Sequence, residues 1–264
     1  MTTTDLNKLL LFFDESGKNK ESLNLIGGLM IPHQIFISEA LTQYNKLLLE
    51  GSYKMHWTSY AGSTVEKERI LNVIHQLMMF KNLIGLNIII YDKISEHGQD
   101  NAKITNMIYS KFPERIFYGL LRFYQGYTTI GADIYIEDDS MYRNMNLTNK
   151  IKDRLNIQAT YRGEGFEVKQ AKYKGKNQII GLELVDALMG IVKSIIENDD
   201  RSAKKRAKNE LIVELLKDKN TYNFFENLKI FKWNNTRELD IIEFNKVLSI
   251  FLNHRSRWID HLVK

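Results

Sequence analysis

Three groups of carboxylates stand where metal-assisted chemistry could use them. Asp14 and Glu15 end the apolar run "LLLFF" and precede a Ser-Gly turn signal. Glu137, Asp138 and Asp139 close "ADIYIEDDS", and Glu183 and Asp186 lie three apart in "LELVDALMG". Hydrolysis of a phosphodiester with divalent cations needs such a set, because Mg²⁺ takes hard oxygen ligands and two ions about 4 Å apart clamp the attacking and leaving oxygens. Each cluster alone has a plainer reading: a carboxylate ending a strand is commonly a turn former, and Asp186 could be a salt-bridged residue. Asp186 is nevertheless flanked by Val185, Ala187 and Leu188, and a carboxylate in so apolar a segment is costly without a partner.

The elements that must position these groups follow from periodicity. "KLLLFF", 8–13, has no helical spacing and reads as a buried strand; 23–31 reads as its hairpin partner. Helical spacing over 33–49 and 63–80 brackets the loop "GSYKMHWTSYAGS". Strands at 82–93, 132–140 and 165–172 alternate with helices at 104–125, 141–155 and 177–196, the first of these despite Pro113. Mixed α/β is the class implied, with the functional groups at the carboxyl ends of strands. Strand alternation places Glu137 and Asp139 on one face and Asp138 on the other, and helical spacing puts Glu183 and Asp186 on a shared face. The expected domains are 1–198, a five-stranded mixed sheet with a helical insertion between its second and third strands, and 199–264, a charged helical appendage.

The 264 residues include no Cys, which excludes disulfides, thiolate metal sites and Cys nucleophiles. Any metal site must use oxygen and imidazole. Hydrophobic residues make up 44% and charged residues 26%, the balance of a globular chain. "MTTTDLNK" has no leader pattern and no apolar run reaches a spanning length, so a cytoplasmic location away from membranes is expected. The net charge of +5 points modestly towards polyanions. Lys169, Lys172, Lys174 and Lys176 crowd the approach to the Asp186 helix as candidate phosphate contacts, with a solvated loop as the alternative. "RSAKKRAK" and "HRSRW" are further basic patches. The other histidines show no zinc spacing, and no Walker loop, Rossmann glycine pattern or nucleophile elbow occurs.

Order and residues together resemble a known family, the RNase H-like domain of unknown function family 3800 (DUF3800), whose signature is a strand ending in "DESG". Here that block is "LLFFDESGK". "YKMHWTSY", with His56, looks like the family's His loop, and "LELVDALMG", with Asp186 and Gly190, looks like its late helix block; the match spans about 8–196. The resemblance implies an RNase H-like fold that brings an acid from the first strand, one from the fourth and one from the last helix around Mg²⁺ or Mn²⁺, with two ions possible. It implies Asp14, Asp139 and Asp186 as metal carboxylates, with Glu137 competing for the fourth-strand place. Glu183 stands where the family has Gln, as a further ligand or a departure from catalysis. Glu15 or Glu66 could supply a fourth acid, and His56 a proton or substrate contact.

The expected activity is metal-dependent cleavage of RNA or DNA by metal-activated water, with phage or plasmid defence implied by resemblance alone. Two alternatives stay open: a non-catalytic module that binds nucleic acid or protein, and a structural partner docking through its helical C-terminus.

Overall fold

A computed structural model describes residues 7–17, 23–92, 101–122, 129–234 and 238–256. The chain begins with strands β1 (Lys8–Ser16) and β2 (Leu23–Pro32), followed by helices α1 (His33–Phe36), α2 (Glu39–Leu49) and α3 (Thr64–Met78). Then come β3 (Gly85–Asp92), α4 (Asn101–Leu121), β4 (Ile130–Glu137), α5 (Ser140–Asn144), α6 (Leu147–Arg162), β5 (Phe166–Lys174) and α7 (Ile180–Glu197). The last stretch holds α8 (Ala203–Leu216), α9 (Lys219–Glu226), β6 (Lys229–Trp233), β7 (Leu239–Glu243) and α10 (Phe244–His254). Among the described residues no helix is long and apolar enough to cross a membrane.

One mixed sheet in the order β5-β4-β1-β2-β3-β6-β7 organises the chain. β2 runs antiparallel to β1 and β3, while β4 is parallel to both β1 and β5. β1 lies in the interior of this order with both faces covered, so its apolar run does not alternate with polar residues. On one face Leu10 and Phe12 enter a core with α2, α3 and α7 to α10; on the other, Leu9, Leu11 and Phe13 pack with α4 to α6. α7 crosses β1 and β2 and is buried on nearly every side, which accounts for its apolar composition.

The expected sheet of five strands is corrected to seven. Residues 199–264 are not wholly helical, because β6 pairs with β3 in parallel and β7 pairs with β6. Both strands have five residues and carry charges among their apolar side chains, so the stronger periodicity of α8, α9 and α10 hides them. Phe225, Phe244 and Phe251 from this segment are fully buried in the α7-side core. Two helices also divide: 33–49 breaks between α1 and α2, and 141–155 breaks at Asn146, whose φ of 52° begins α6.

Candidate metal centre

Alternation along β1 sends Asp14 to the α7 side with Phe12 and Glu15 to the α4 side with Phe13. β4 delivers Glu137 to the same side as Asp14. α7 contributes Glu183 and Asp186, and the loop before it contributes Lys176. These five, with His56 and Leu182, line a cavity of about 10 Å³. That is room for one water-sized occupant, so a larger substrate can meet the carboxylates only from the mouth.

The start of α7 is fixed from two directions. Asn45 Oδ1 accepts from the Ile180 N–H at 2.9 Å, and Glu183 Oε1 accepts from the Asn177 N–H at 2.8 Å. Glu183 sits in the first turn, where the amide dipoles favour a negative charge. His56 Nδ1 is 3.2 Å from Glu183 Oε2. The Trp57 N–H donates to Asp186 Oδ2 at 3.3 Å, which ties the His56 loop to the helix. Gly190 makes this approach possible, since a Cβ there would run into the Trp57 ring.

Burial pushes the Asp14 carboxyl well above its usual range, and a hydrogen bond and repulsion from Glu137 and the charge of Asp186 raise it further; the Glu15 N–H, 2.7 Å away, opposes them. Burial also raises Asp186, against Lys176, the Trp57 N–H and His56. Glu183 is raised by burial against the Asn177 N–H and His56. Burial pulls the Lys176 ammonium down, but Glu137, 3.1 Å away, and then Asp14 and Asp186 outweigh it and leave the group raised. Four carboxylates thus face one lysine and one histidine in a cavity closed to most water.

The remaining candidates lie elsewhere. β4 ends at Glu137, so the alternation expected to carry Asp139 to the same face stops short of it; Asp139 instead caps α5, accepting from the Met141 N–H at 2.8 Å. Asp138 pairs with Arg143 outside the cavity. Glu15 is held behind the sheet by the hydroxyls of Tyr91, Tyr109 and Tyr142, which donate at 2.7, 3.0 and 3.1 Å. Glu66 lies in the first turn of α3, its N–H donating to the Ser63 hydroxyl that caps that helix.

Of the four lysines only Lys176 reaches the cavity. Lys169 pairs with Glu167. Gln170 bonds Asp133, while Ala171 and Tyr173 face the α4-side core, so alternation sets Lys172 and Lys174 on the face of Glu137 along edge strand β5. In the two basic patches, Arg201 and Lys205 are paired to Asp199, and Arg255 is buried against Asp200. Arg257, Trp258, His97 and His261 lie outside the described residues. His254 contacts Asn198, and the ring nitrogens His33 Nδ1 and His75 Nε2 are buried without a bonding partner.

Lys208 was not singled out by sequence. Its Nζ lies 5.5 Å from the centre of the Trp57 ring, and burial, then Lys204, push its ammonium down to about 8 against the pull of Asp186. Its signal was present, as the last lysine of "RSAKKRAK", but nothing in the sequence distinguishes it from neighbours that pair with Glu197 and Asp199 instead. No family model, no curated protein and no solved structure matches this chain.

Proposed function

We propose that the chain is a metal-dependent hydrolase of phosphodiester bonds in RNA or DNA, built on an RNase H-like fold of the DUF3800 type. One observation carries the reading: acids from the first strand (Asp14), the fourth strand (Glu137) and a late helix (Asp186) line a single cavity, the pattern that the family resemblance implies. Glu137 takes the place first expected of Asp139. The donors are hard oxygens in surplus over the cations, which fits Mg²⁺ or Mn²⁺, although among the described residues no group of three His, Asp or Glu side chains is already set to hold an ion.

Asp14, Glu137 and Asp186 would hold the metal, with Glu183 as an added oxygen. A divalent cation bound there supplies charge to the phosphate and lowers the pKa of a bound water. The chain supplies the rest. Lys176 stands beside the carboxylates as a cation for a non-bridging phosphate oxygen. His56, held by Glu183 through Nδ1, would in its imidazolium form have an Nε2 proton to give to a departing oxygen. Lys172 and Lys174 offer salt-dependent contacts to a strand lying along β5.

The test pairs two readouts. Calorimetric titration with Mn²⁺ should show binding to the wild type that an Asp14→Asn, Asp186→Asn double variant loses. Labelled single-stranded, duplex and hybrid substrates should be cut only with metal and only by the wild type. Equal cutting by both proteins would refute the assignment. The β5 lysines favour a second reading, a non-catalytic binding module: affinity for nucleic acid that survives EDTA, falls with salt and is unaccompanied by cutting would select it.

A further inference from the structure

We propose that a second site, at the end of the sheet where β3 and β6 begin and away from Asp14, binds a nucleoside phosphate. Two cavities meet where β3 and β6 begin, sharing Asn87 and Lys229. The smaller, about 260 Å³, gathers Arg115, Arg122 and Lys229 over Ile89 and Phe231. The larger, about 870 Å³, is bordered by the carboxamides of Asn82, Asn87, Asn223 and Asn227 over an apolar floor that includes Leu120 and Phe224. Neither has an Asp or Glu in its lining.

The cations are available to a ligand. Arg115 on α4 and Arg122 just past its end both line the smaller cavity, and both are exposed. Three acids of the neighbouring elements are already engaged: Glu114 by Lys111 and Arg154, Glu164 by the Tyr118 hydroxyl, and Glu243, opposite Lys229 in the β6–β7 ladder, by Lys246. Among the described residues no carboxylate pairs with Arg115, Arg122 or Lys229. Three cations brought together without a counter-charge make a site for an anion, and a guanidinium fork matches phosphate oxygens two at a time.

The larger cavity says what the anion is attached to. Its volume lies within the range of small-molecule sites, and an apolar floor with a few placed polar groups suits a flat heteroaromatic ring. Carboxamides offer both a donor and an acceptor, the pairing that base edges require. Asn87 donates to the Ile116 carbonyl at 3.2 Å, which fixes its side chain at the junction and leaves its oxygen to accept. A base in the larger cavity would therefore place its phosphate at the arginines. The ligand could be a free nucleotide or the phosphorylated end of a strand.

The experiment is calorimetric titration of the full chain in EDTA, which silences metal-linked events at Asp14. The probes are ADP, adenosine, inorganic phosphate, and one oligonucleotide with and without a 5′-phosphate. The variants are Arg115→Ala with Arg122→Ala, both exposed and so expected to leave the fold intact, and Asn223→Asp. ADP or the 5′-phosphorylated oligonucleotide should bind with Kd below about 1 mM, and whichever binds identifies the source. The double Ala variant should weaken that ligand by at least about tenfold, as loss of charge-assisted bonds requires, and Asn223→Asp should weaken it too. Binding of neither ligand, equal binding by the double variant, or phosphate binding as tightly as ADP would overturn the proposal. The Asp14→Asn, Asp186→Asn protein should retain the site, so failure here and failure of the nuclease reading are separable.

Discussion

Glu15 is the residue whose replacement the structure makes most calculable. Its carboxylate is 7% exposed and accepts from three tyrosine hydroxyls, with Tyr91 and Tyr109 on one oxygen and Tyr142 on the other. Glu15→Ala would leave all three buried hydroxyls without this acceptor, at about 1–3 kcal/mol each. The sum, about 3–9 kcal/mol, rivals the whole stability of a typical domain, so the informative variant is Glu15→Gln. The amide keeps the shape and one acceptor oxygen for Tyr91 and Tyr109, turns two charge-assisted bonds into neutral ones, and deprives the Tyr142 hydroxyl hydrogen of its acceptor. We expect a loss of about 2–4 kcal/mol, read as a fall of about 1 M in the urea midpoint followed by tryptophan fluorescence. Tyr142→Phe should cost about 1–3 kcal/mol in the wild type and little in the Gln background. A Gln variant within about 0.5 kcal/mol of wild type, or an equal cost of Tyr142→Phe in both backgrounds, would refute the tyrosine cage as a source of stability.

Asp14 should behave in the opposite sense. Its folded pKa is raised from the ordinary 3.8, so the stability linked to its proton is fully present below that pH and lost as pH rises through the raised value. Asp14→Asn, whose amide can donate to Glu137, should therefore be more stable than wild type at neutral pH by about 1–2 kcal/mol, the difference shrinking as pH falls towards 3.8; a less stable variant at pH 7 would contradict this. Gly190→Ala should drive a methyl group into the Trp57 ring and lower the Tm by about 4–8 °C in a thermal melt. Arg255, whose side chain is wholly buried, contacts Asp200 through Nη2 at 2.9 and 3.0 Å and the Phe251 carbonyl at 3.0 Å. Arg255→Met should cost about 3 kcal/mol in urea unfolding, less than a fully buried pair because Asp200 remains partly hydrated.

The sequence was most legible where a physical constraint acts locally. A run of five apolar residues without helical spacing, closed by acids and a Ser-Gly turn signal, reads as a strand covered on both faces, and β1 is one. Acids three apart on a helix share a face, and Glu183 and Asp186 do. It was least legible where an ending decides the outcome. Asp139 is not among the cavity's lining residues because Asp-Ser begins a helix: its carboxylate serves the Met141 N–H, and the strand has already stopped. The tyrosines around Glu15 come from β3, α4 and α5, and no spacing within one segment announces such a convergence. β6 and β7 are too short for periodicity to separate them from the helices on either side.

Asp14 and Glu15, adjacent in sequence and opposite in direction, give β1 an internal ruler. A slip of one residue would present the shorter acid to three hydroxyls spaced for the longer one and would turn the longer acid into a cavity that admits a single water-sized occupant. Both ends of that exchange lose, so the two faces verify each other's alignment. A single-residue deletion within 8–13 is thus expected to be far less tolerated than any single substitution there, because it misaligns the acidic cavity and the tyrosine cage in the same step.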